Sequence, residues 1–137
     1  MSAERFFLDT AYVQALLNGR DQYHGQALAL YSRVRSAREV WVTEAVLTEV
    51  GNALATSRRG EVVQFIERCY ITFNIRVVPV DTALFHRALE FYRGREDKAW
   101  GLTDCISFLV MQDQGLVDAL TVDEHFRQAG FRPLLDA

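Results

Sequence analysis

The 137-residue sequence has few of the residues that cross-link or interrupt a fold, with only two cysteines and two prolines. Cys69 and Cys105 form no CxxC pair, so a disulfide framework is excluded and reduced thiols are expected. The chain has no apolar run of bilayer length and no apolar signal region near residue 1, which predicts a cytoplasmic protein without membrane contact. It also lacks Gly-rich phosphate loops and a Gly-x-Ser-x-Gly motif, which disfavours nucleotide-cofactor and serine-hydrolase chemistry.

The composition is that of a globular chain, with half of the residues hydrophobic and about a quarter charged. This length fits one domain, and no linker or repeat divides it, so residues 1–137 are expected to form a single unit. The net charge of −3 disfavours a general nucleic-acid coat protein, which usually carries a basic excess. It leaves open an enzyme that holds nucleic acid through a local basic rim.

Short β-prone runs alternate with helical patterns along the chain. Strands are predicted at 5–8, 39–42, 75–80 and 119–121, with an edge strand near 131–134, and helices over 10–17, 22–35, 44–57, 61–73, 82–92 and 102–114. Asp81 is predicted to cap the helix at 82–92, and Gly60 and Gly115 to end helices. This order predicts an α/β fold, a mostly parallel sheet with helices on both faces, whose ligand site lies beyond the carboxyl ends of the strands.

Two aspartates directly follow predicted strands. Asp9 comes after the run Phe6-Phe7-Leu8, and Asp123 comes two residues after the strand at 119–121. Each could instead serve only as the N-cap of the next helix, a role for which aspartate is well suited. Two such residues in the two halves of the chain favour a shared site.

Two further carboxylates lie on helices. Glu49 is about 60° around its helix from Val46, at the border of the apolar arc, where it can reach solvent or point into a cleft. Asp104 opens the most apolar helix, so its partial burial calls for compensation by a cation, although Thr103 or Asp104 could also be the N-cap. Carboxylates without a paired-histidine motif favour Mg²⁺ or Mn²⁺ over zinc. The three histidines are scattered, at His24, His86 and His125.

Four segments place these acids in recurrent apolar frames: FLDT at 7–10, TEAVLTEVGNAL at 43–54, LTDCISF at 102–108 and LTVDEHF at 120–126. In this order and spacing, over nearly the whole chain, they resemble the motifs of the PIN domain family and most closely its VapC-type toxins. The resemblance implies a three-layer α/β/α PIN-like fold with about five strands. It also implies an Mg²⁺- or Mn²⁺-dependent endoribonuclease with Asp9, Glu49, Asp104 and Asp123 as catalytic metal ligands.

Other features of the site follow from the resemblance. Thr10 and Thr121 are similar to hydroxyl residues that hydrogen-bond within such sites, and Gly101 stands where relatives often have serine. Asp97 lies nearby in sequence and is a candidate fifth acid. VapC-type toxins usually pair with a small antitoxin and commonly form homodimers, so both partners are expected. The aromatic stretch 23–31 is compatible with a groove for a partner helix and equally with core packing.

Basic residues near the acids are candidate RNA contacts through phosphates. They are Arg58, Arg59, Arg93, Arg95, Lys98 and Arg127. For each one, an ordinary solvated surface charge is the competing interpretation.

Three other functions compete with the toxin interpretation. The first is a PIN nuclease that processes RNA without an antitoxin, and the second is a binding module that kept the fold but lost catalysis. The third is a receiver-type phosphotransfer protein with Asp9 or Asp123 as the phosphoacceptor. That third class expects a late lysine after a strand, whereas the only lysine here is Lys98, ahead of a helix.

Overall fold

The computed structural model describes residues 2–135, which form a five-stranded sheet and seven α-helices. The strands are β1 (Arg5–Leu8), β2 (Glu39–Thr43), β3 (Ile75–Val78), β4 (Asp118–Leu120) and β5 (Arg132–Pro133). The helices are α1 (Thr10–Leu17), α2 (His24–Ser36), α3 (Glu44–Ala53), α4 (Arg59–Ile71), α5 (Thr82–Arg93), α6 (Leu102–Gln114) and α7 (Glu124–Gln128). Within this range no helix has both the length and the apolarity needed to cross a membrane.

All strand pairs are parallel, in the order β3-β2-β1-β4-β5. The sheet grows from β1 to β2 and β3 in one direction, and the chain then returns to add β4 and β5 on the other side of β1. The order therefore reverses between β1 and β4, and such a reversal opens a crevice at the carboxyl ends of the two strands. The predicted α/β/α fold with a parallel sheet of about five strands is confirmed.

The central strands are buried on both faces, as parallel strands covered by helices usually are. Phe6, Phe7 and Leu8 of β1 are at most 3% exposed. On one side, the ring of Phe108 in α6 packs edge-on against Trp100 and Phe126, with both centroid distances at 5.0 Å. This aromatic contact packs α6 against α7, and both helices begin at the carboxyl edge.

Several predicted boundaries differ from the structure for local reasons. The α2 helix begins at His24 rather than at residue 22, because the Asp21 carboxylate accepts the Tyr23 N–H at 2.8 Å in a turn. The β3 strand ends at Val78, one residue before Pro79, which lacks the N–H that a ladder needs. The α3 helix ends at Ala53, and residues 54–57 form turns.

The two glycines that were predicted to end helices behave differently. Gly115 follows α6 with a φ of 66° and is a left-handed C-terminal residue, as predicted. The prediction that Gly60 ends a helix was wrong, because Gly60 is the second residue of α4. Amides in the first helical turn need no intrahelical partner, so a glycine there does not prevent the helix from starting. Asp81 caps α5, accepting the Leu84 N–H at 2.8 Å, as predicted.

Candidate metal centre

The carboxyl ends of β1 and β4 lie side by side at the crevice. Leu8 is in register with Leu120, and the Asp9 N–H donates to the Leu120 carbonyl at 3.3 Å. The chain leaves β1 through Asp9 and leaves β4 through Thr121 and Asp123. The fold therefore brings together residues more than 110 positions apart in the sequence.

Asp9 occupies the N-cap position of α1, but its side chain makes no capping hydrogen bond. Instead, Asp9 Oδ2 accepts a hydrogen bond from Thr121 Oγ1 at 2.8 Å. Asp9 is 7% exposed, and this burial raises the pKa of its carboxyl to about 7, with smaller contributions from the charges of Asp104 and Asp123. The alternative that Asp9 serves only as a helix cap is not supported, because its carboxylate is directed to the crevice residues.

Asp104 is the third residue of α6, and the N-cap is Gly101. The prediction that Thr103 or Asp104 takes the N-cap position was wrong, since the helix begins earlier, at Leu102. Asp104 Oδ2 instead accepts the Gly101 N–H at 3.0 Å. Burial raises the pKa of the Asp104 carboxyl and the charge of Asp123 adds to this, while hydrogen bonding by Gly101 and the neighbouring His125 oppose it.

Asp123 caps the short α7 and also lies beside Asp104. Its Oδ1 accepts the His125 N–H at 2.9 Å, so the capping role predicted as an alternative is present. The ring of His125 turns back toward both acids, with Nδ1 3.2 Å from Asp104 Oδ2 and 3.4 Å from Asp123 Oδ1. In the described part of the chain, Asp104, Asp123 and His125 form the group whose candidate ligand atoms lie within 4.8 Å of one another.

Sequence reasoning did not single out His125, because the histidines were considered only as paired zinc ligands. The available signal was its position two residues after Asp123, at the start of a helix as short as five residues. At that spacing the imidazole can fold back onto the capping carboxylate. The residue therefore joins the site through local geometry rather than through a spacing motif.

Glu49 lies on the exposed face of α3, apart from that close group. Its Oε1 accepts a hydrogen bond from Thr10 Oγ1 at 2.9 Å, and Thr10 directly follows Asp9. Of the two orientations predicted for Glu49, the exposed one is observed. Its carboxylate is hydrogen-bonded to Thr10, the first residue of α1. The hydrogen bond connects α3 to the strand end that carries Asp9.

The two predicted hydroxyl residues both make hydrogen bonds at this edge. Thr121 is fully buried, and its Oγ1 accepts the Asp123 N–H at 3.0 Å while donating to Asp9. Asp97, the candidate fifth acid, is paired with Arg95 at 3.1 Å, and this contact lowers the pKa of its exposed carboxyl. Asp97 therefore has an arginine partner of its own.

The side chains predicted to contact RNA interact mostly with residues close to them in the sequence. Arg58 pairs with Glu61 at 3.2 Å, and Arg59 donates to the Ala55 carbonyl. The Arg95 guanidinium also lies 4.8 Å from the centre of the Trp100 ring. Exposed ion pairs of this kind are weak, so the arginines could exchange their present partners for phosphates.

The acids at the crevice have the chemistry of a divalent-cation site. Asp9 is a buried carboxylate, and the charged side chains that shift its pKa, Asp104 and Asp123, are acidic as well. A buried carboxylate is costly unless a cation compensates for it. Carboxylate oxygens are the preferred ligands of Mg²⁺ and Mn²⁺, so the residues present fit such an ion.

Comparison with known proteins assigns the family. The model of the PIN domain matches residues 6–132, and the chain therefore belongs to the PIN domain family. Over 125 residues the chain is 27% identical to a protein described as the 23S rRNA-specific endonuclease VapC20, from two strains of Mycobacterium tuberculosis. That alignment covers 91% of this chain and 94% of the relative, so the predicted resemblance to VapC-type members is confirmed.

Solved structures agree with this assignment. The crystal structure of M. tuberculosis VapC20, described as a sarcin-ricin loop cleaving toxin, matches with a TM-score of 0.81 at 26% identity, over 92% of this chain and 95% of that one. VapBC2 from Rickettsia felis, bound to promoter DNA, matches with a TM-score of 0.62 at 10% identity, over 97% and 96% of the two chains. FitAcB from Neisseria gonorrhoeae matches with a TM-score of 0.60 at 14% identity, over 91% and 92%. The last two likenesses show the fold alone.

Proposed function

We propose that this chain is a metal-dependent endoribonuclease that acts as the toxin of a type II toxin–antitoxin pair. The observation that carries the proposal is the buried Asp9 carboxylate at the crevice, where the charged neighbours Asp104 and Asp123 are acidic too. We assign Asp9, Glu49, Asp104 and Asp123 as the residues that hold the ion, and Mg²⁺ or Mn²⁺ as the ion. Membership of the PIN domain family and the alignment with VapC20 support the same activity.

The proposed reaction is hydrolysis of an RNA phosphodiester. The new bond joins a water oxygen to phosphorus, and the bond from phosphorus to the 3′ oxygen breaks, which leaves a 5′-phosphate and a 3′-hydroxyl. A bound divalent ion lowers the pKa of water, orients the phosphate and offsets developing negative charge. The protein's part is to hold the carboxylates in position.

Three hydrogen bonds orient the carboxylates. Thr121 Oγ1 fixes Asp9 Oδ2, and the Gly101 N–H fixes Asp104 Oδ2. Thr10 Oγ1 directs Glu49 toward the same edge. The hydrogen bonds from Thr121 and Gly101 favour the charged forms of Asp9 and Asp104.

The relative suggests where to look for the substrate. VapC20 of M. tuberculosis acts on 23S rRNA and is described as cleaving the sarcin-ricin loop. We propose a structured ribosomal RNA loop as the substrate class for this chain. Arg58, Arg59, Arg95 and Lys98 are the proposed phosphate contacts, which predicts cleavage that weakens as salt rises.

The activity is tested with metal-free protein and a synthetic hairpin of the 23S sarcin-ricin loop. We expect cleavage when Mg²⁺ or Mn²⁺ is added, none in EDTA, and loss of at least about a hundredfold in rate for Asp9→Asn and Asp104→Asn. Asp113→Asn is the matched control, because Asp113 is an exposed acid paired with Arg87 on α5. Equal cleavage in EDTA, or by Asp9→Asn, would contradict the proposal. A PIN fold without catalysis would bind the hairpin and leave it intact.

An apolar groove of about 820 Å³ lies between α1, α2 and α4 and is the proposed binding surface of the antitoxin. The groove includes the exposed side chains of Leu28, Tyr31 and Phe73, which are 53%, 44% and 71% exposed. Arg35 and Arg68 also line it. A partner segment with apolar side chains flanked by acidic ones would match this surface. The structures named VapBC2 and FitAcB support the existence of an antitoxin partner.

Binding is tested with the product of the short reading frame next to this gene, co-expressed with the tagged chain. We expect a stable complex, and Leu28→Asp should weaken it by at least about tenfold by placing a charge in an apolar contact. Val117→Asp is the control, because Val117 is similarly exposed, at 58%, and is not part of the groove lining. An unchanged affinity for Leu28→Asp would place the antitoxin elsewhere. A processing nuclease would have no such neighbour.

Three further expectations stay proposals. We propose that residues 1–137 form one domain, that the protein acts in the cytoplasm, and that it forms a homodimer. Sedimentation of the free chain at micromolar concentration checks the last of these, and a monomer would contradict it.

A further inference from the structure

The imidazole of His125 lies against two of the carboxylates assigned above as ligands. Nδ1 is the ring atom that faces them, 3.2 Å from Asp104 Oδ2 and 3.4 Å from Asp123 Oδ1. All three side chains are partly shielded from solvent, with exposures of 30%, 19% and 33% respectively. The ring is therefore part of the crevice wall rather than a free surface group.

The fold holds the backbone of His125 close to these acids. The His125 N–H donates to Asp123 Oδ1 at 2.9 Å, which ties the backbone of α7 to the capping carboxylate. The next residue, Phe126, is fully buried, and its ring centre lies 5.0 Å from Phe108 and 6.2 Å from Phe7. Because Phe126 anchors the helix in the core, the backbone of His125 is held beside the acids.

The two separations can be compared with what each kind of contact requires. Charge-assisted N–H···O hydrogen bonds usually span about 2.7–2.9 Å, which is shorter than either separation here. Adjacent ligands of an octahedral cation with bonds of about 2.1–2.3 Å lie about 3.0–3.3 Å apart. The 3.2 Å separation fits adjacent ligands and also lies at the upper end of the ordinary N–H···O range, and 3.4 Å is just beyond both. The candidate ligand atoms of His125, Asp104 and Asp123 all lie within 4.8 Å of one another, so a single ion can contact all three.

We propose that His125 binds the metal ion directly through Nδ1, beside Asp104 and Asp123, and that this nitrogen makes the centre prefer Mn²⁺ to Mg²⁺. The inference rests on the metal-dependent function proposed above and adds a ligand to it. Mg²⁺ prefers oxygen ligands and keeps its waters, so a nitrogen ligand contributes little to its binding. Divalent ions of the first transition row accept imidazole more readily.

The test uses the full-length, metal-free chain without RNA. Mn²⁺ is added while the electron paramagnetic resonance signal of free Mn²⁺ is followed, and pulsed measurements detect nitrogen coupled to the bound ion. We expect an imidazole nitrogen coupling in the unmodified protein, and we expect displacement of half the Mn²⁺ to need at least about a tenfold excess of Mg²⁺. This spectrum does not depend on any variant folding correctly.

Variants then assign the nitrogen. His125→Ala should remove the coupling and weaken Mn²⁺ binding about tenfold or more, while Mg²⁺ affinity changes by less than about threefold. His125→Asn offers an oxygen in place of the nitrogen and should shift the preference back toward Mg²⁺. His86→Ala, on the exposed face of α5, is the matched control and should leave the spectrum and both affinities unchanged.

Each other outcome overturns the inference. Bound Mn²⁺ without nitrogen coupling would mean that the ion is held by oxygen alone, and the proposed nuclease function would stand. Equal losses of Mn²⁺ and Mg²⁺ affinity in His125→Ala would make His125 only a residue that positions the carboxylates. Failure of the unmodified protein to bind either ion would contradict the metal-dependent function as well.

Discussion

Replacing Asp9 with asparagine should make the metal-free protein less sensitive to pH. The side chain of asparagine has nearly the same shape and can still accept the hydrogen bond from Thr121 Oγ1. It carries no titrating proton, however. The substitution therefore removes the buried charge with little change in packing.

The magnitude follows from the pKa of Asp9, which burial raises from 3.8 to about 7. Between these two values the unfolded chain has lost the proton while the folded chain keeps it. The stability contributed by the Asp9 carboxyl is therefore fully present below pH 3.8. It falls by about 1.4 kcal/mol for each pH unit between 3.8 and 7 and is lost above pH 7. From pH 5 to pH 8 the loss is about 2.5 kcal/mol, or roughly 8 °C in Tm for a domain of this size.

The assay is urea unfolding at 25 °C in EDTA at pH 5, 6, 7 and 8 for both proteins. The unfolding free energy of Asp9→Asn minus that of the unmodified protein should increase by about 2.5 kcal/mol across this range. Asp113→Asn is the control, because Arg87 lowers the pKa of Asp113 below 3.8 and its stabilising effect is lost only in stronger acid.

A divalent ion should reverse the effect. At pH 8, an ion at a hundred times its Kd stabilises a protein that binds it only when folded by about 2.7 kcal/mol. The unmodified protein should gain this stability, and Asp9→Asn should gain much less. Parallel pH profiles for the two proteins in EDTA would refute the reasoning, since Asp9 would then be ionised in the folded state at no cost.

Four further substitutions test the hydrogen bonds of the site and the stability of the fold. Thr121→Val removes the hydroxyl that lowers the pKa of Asp9, so the carboxyl carbon shift of Asp9 should titrate at higher pH in metal-free protein, and an unchanged midpoint would contradict this. Asn74→Ala leaves carbonyls at the end of α2 without their donor and should cost about 1–3 kcal/mol in urea unfolding. Gly115→Ala should cost about 1 kcal/mol because φ is 66°, whereas Gly51→Ala, within α3, should stabilise the protein by about 0.5–1 kcal/mol; effects of equal sign would contradict the argument.

Local pattern was enough to predict the elements of this fold. Alternating β-prone and helical runs predicted the parallel sheet, and the buried β1 strand predicted that Asp9 would stand at its carboxyl end. The apolar α6 helix predicted partial burial of Asp104. Boundaries were less predictable, because side chains such as Asp21 form turns that delay a helix without changing its apolar periodicity.

The sequence by itself determined which acids follow strands and open helices, since those positions depend on neighbouring residues. Only the tertiary structure decided which acids meet. The return of the chain across β1 places Thr121 and Asp123 beside Asp9, whereas Glu49 is hydrogen-bonded to Thr10, the residue after Asp9. The position of His125 two residues after Asp123 was a signal for its contact with that acid, but its contact with Asp104 depends on how α7 packs on α6. The physical reason is that a crevice between parallel strands is made by chain topology, which joins residues that no local pattern connects.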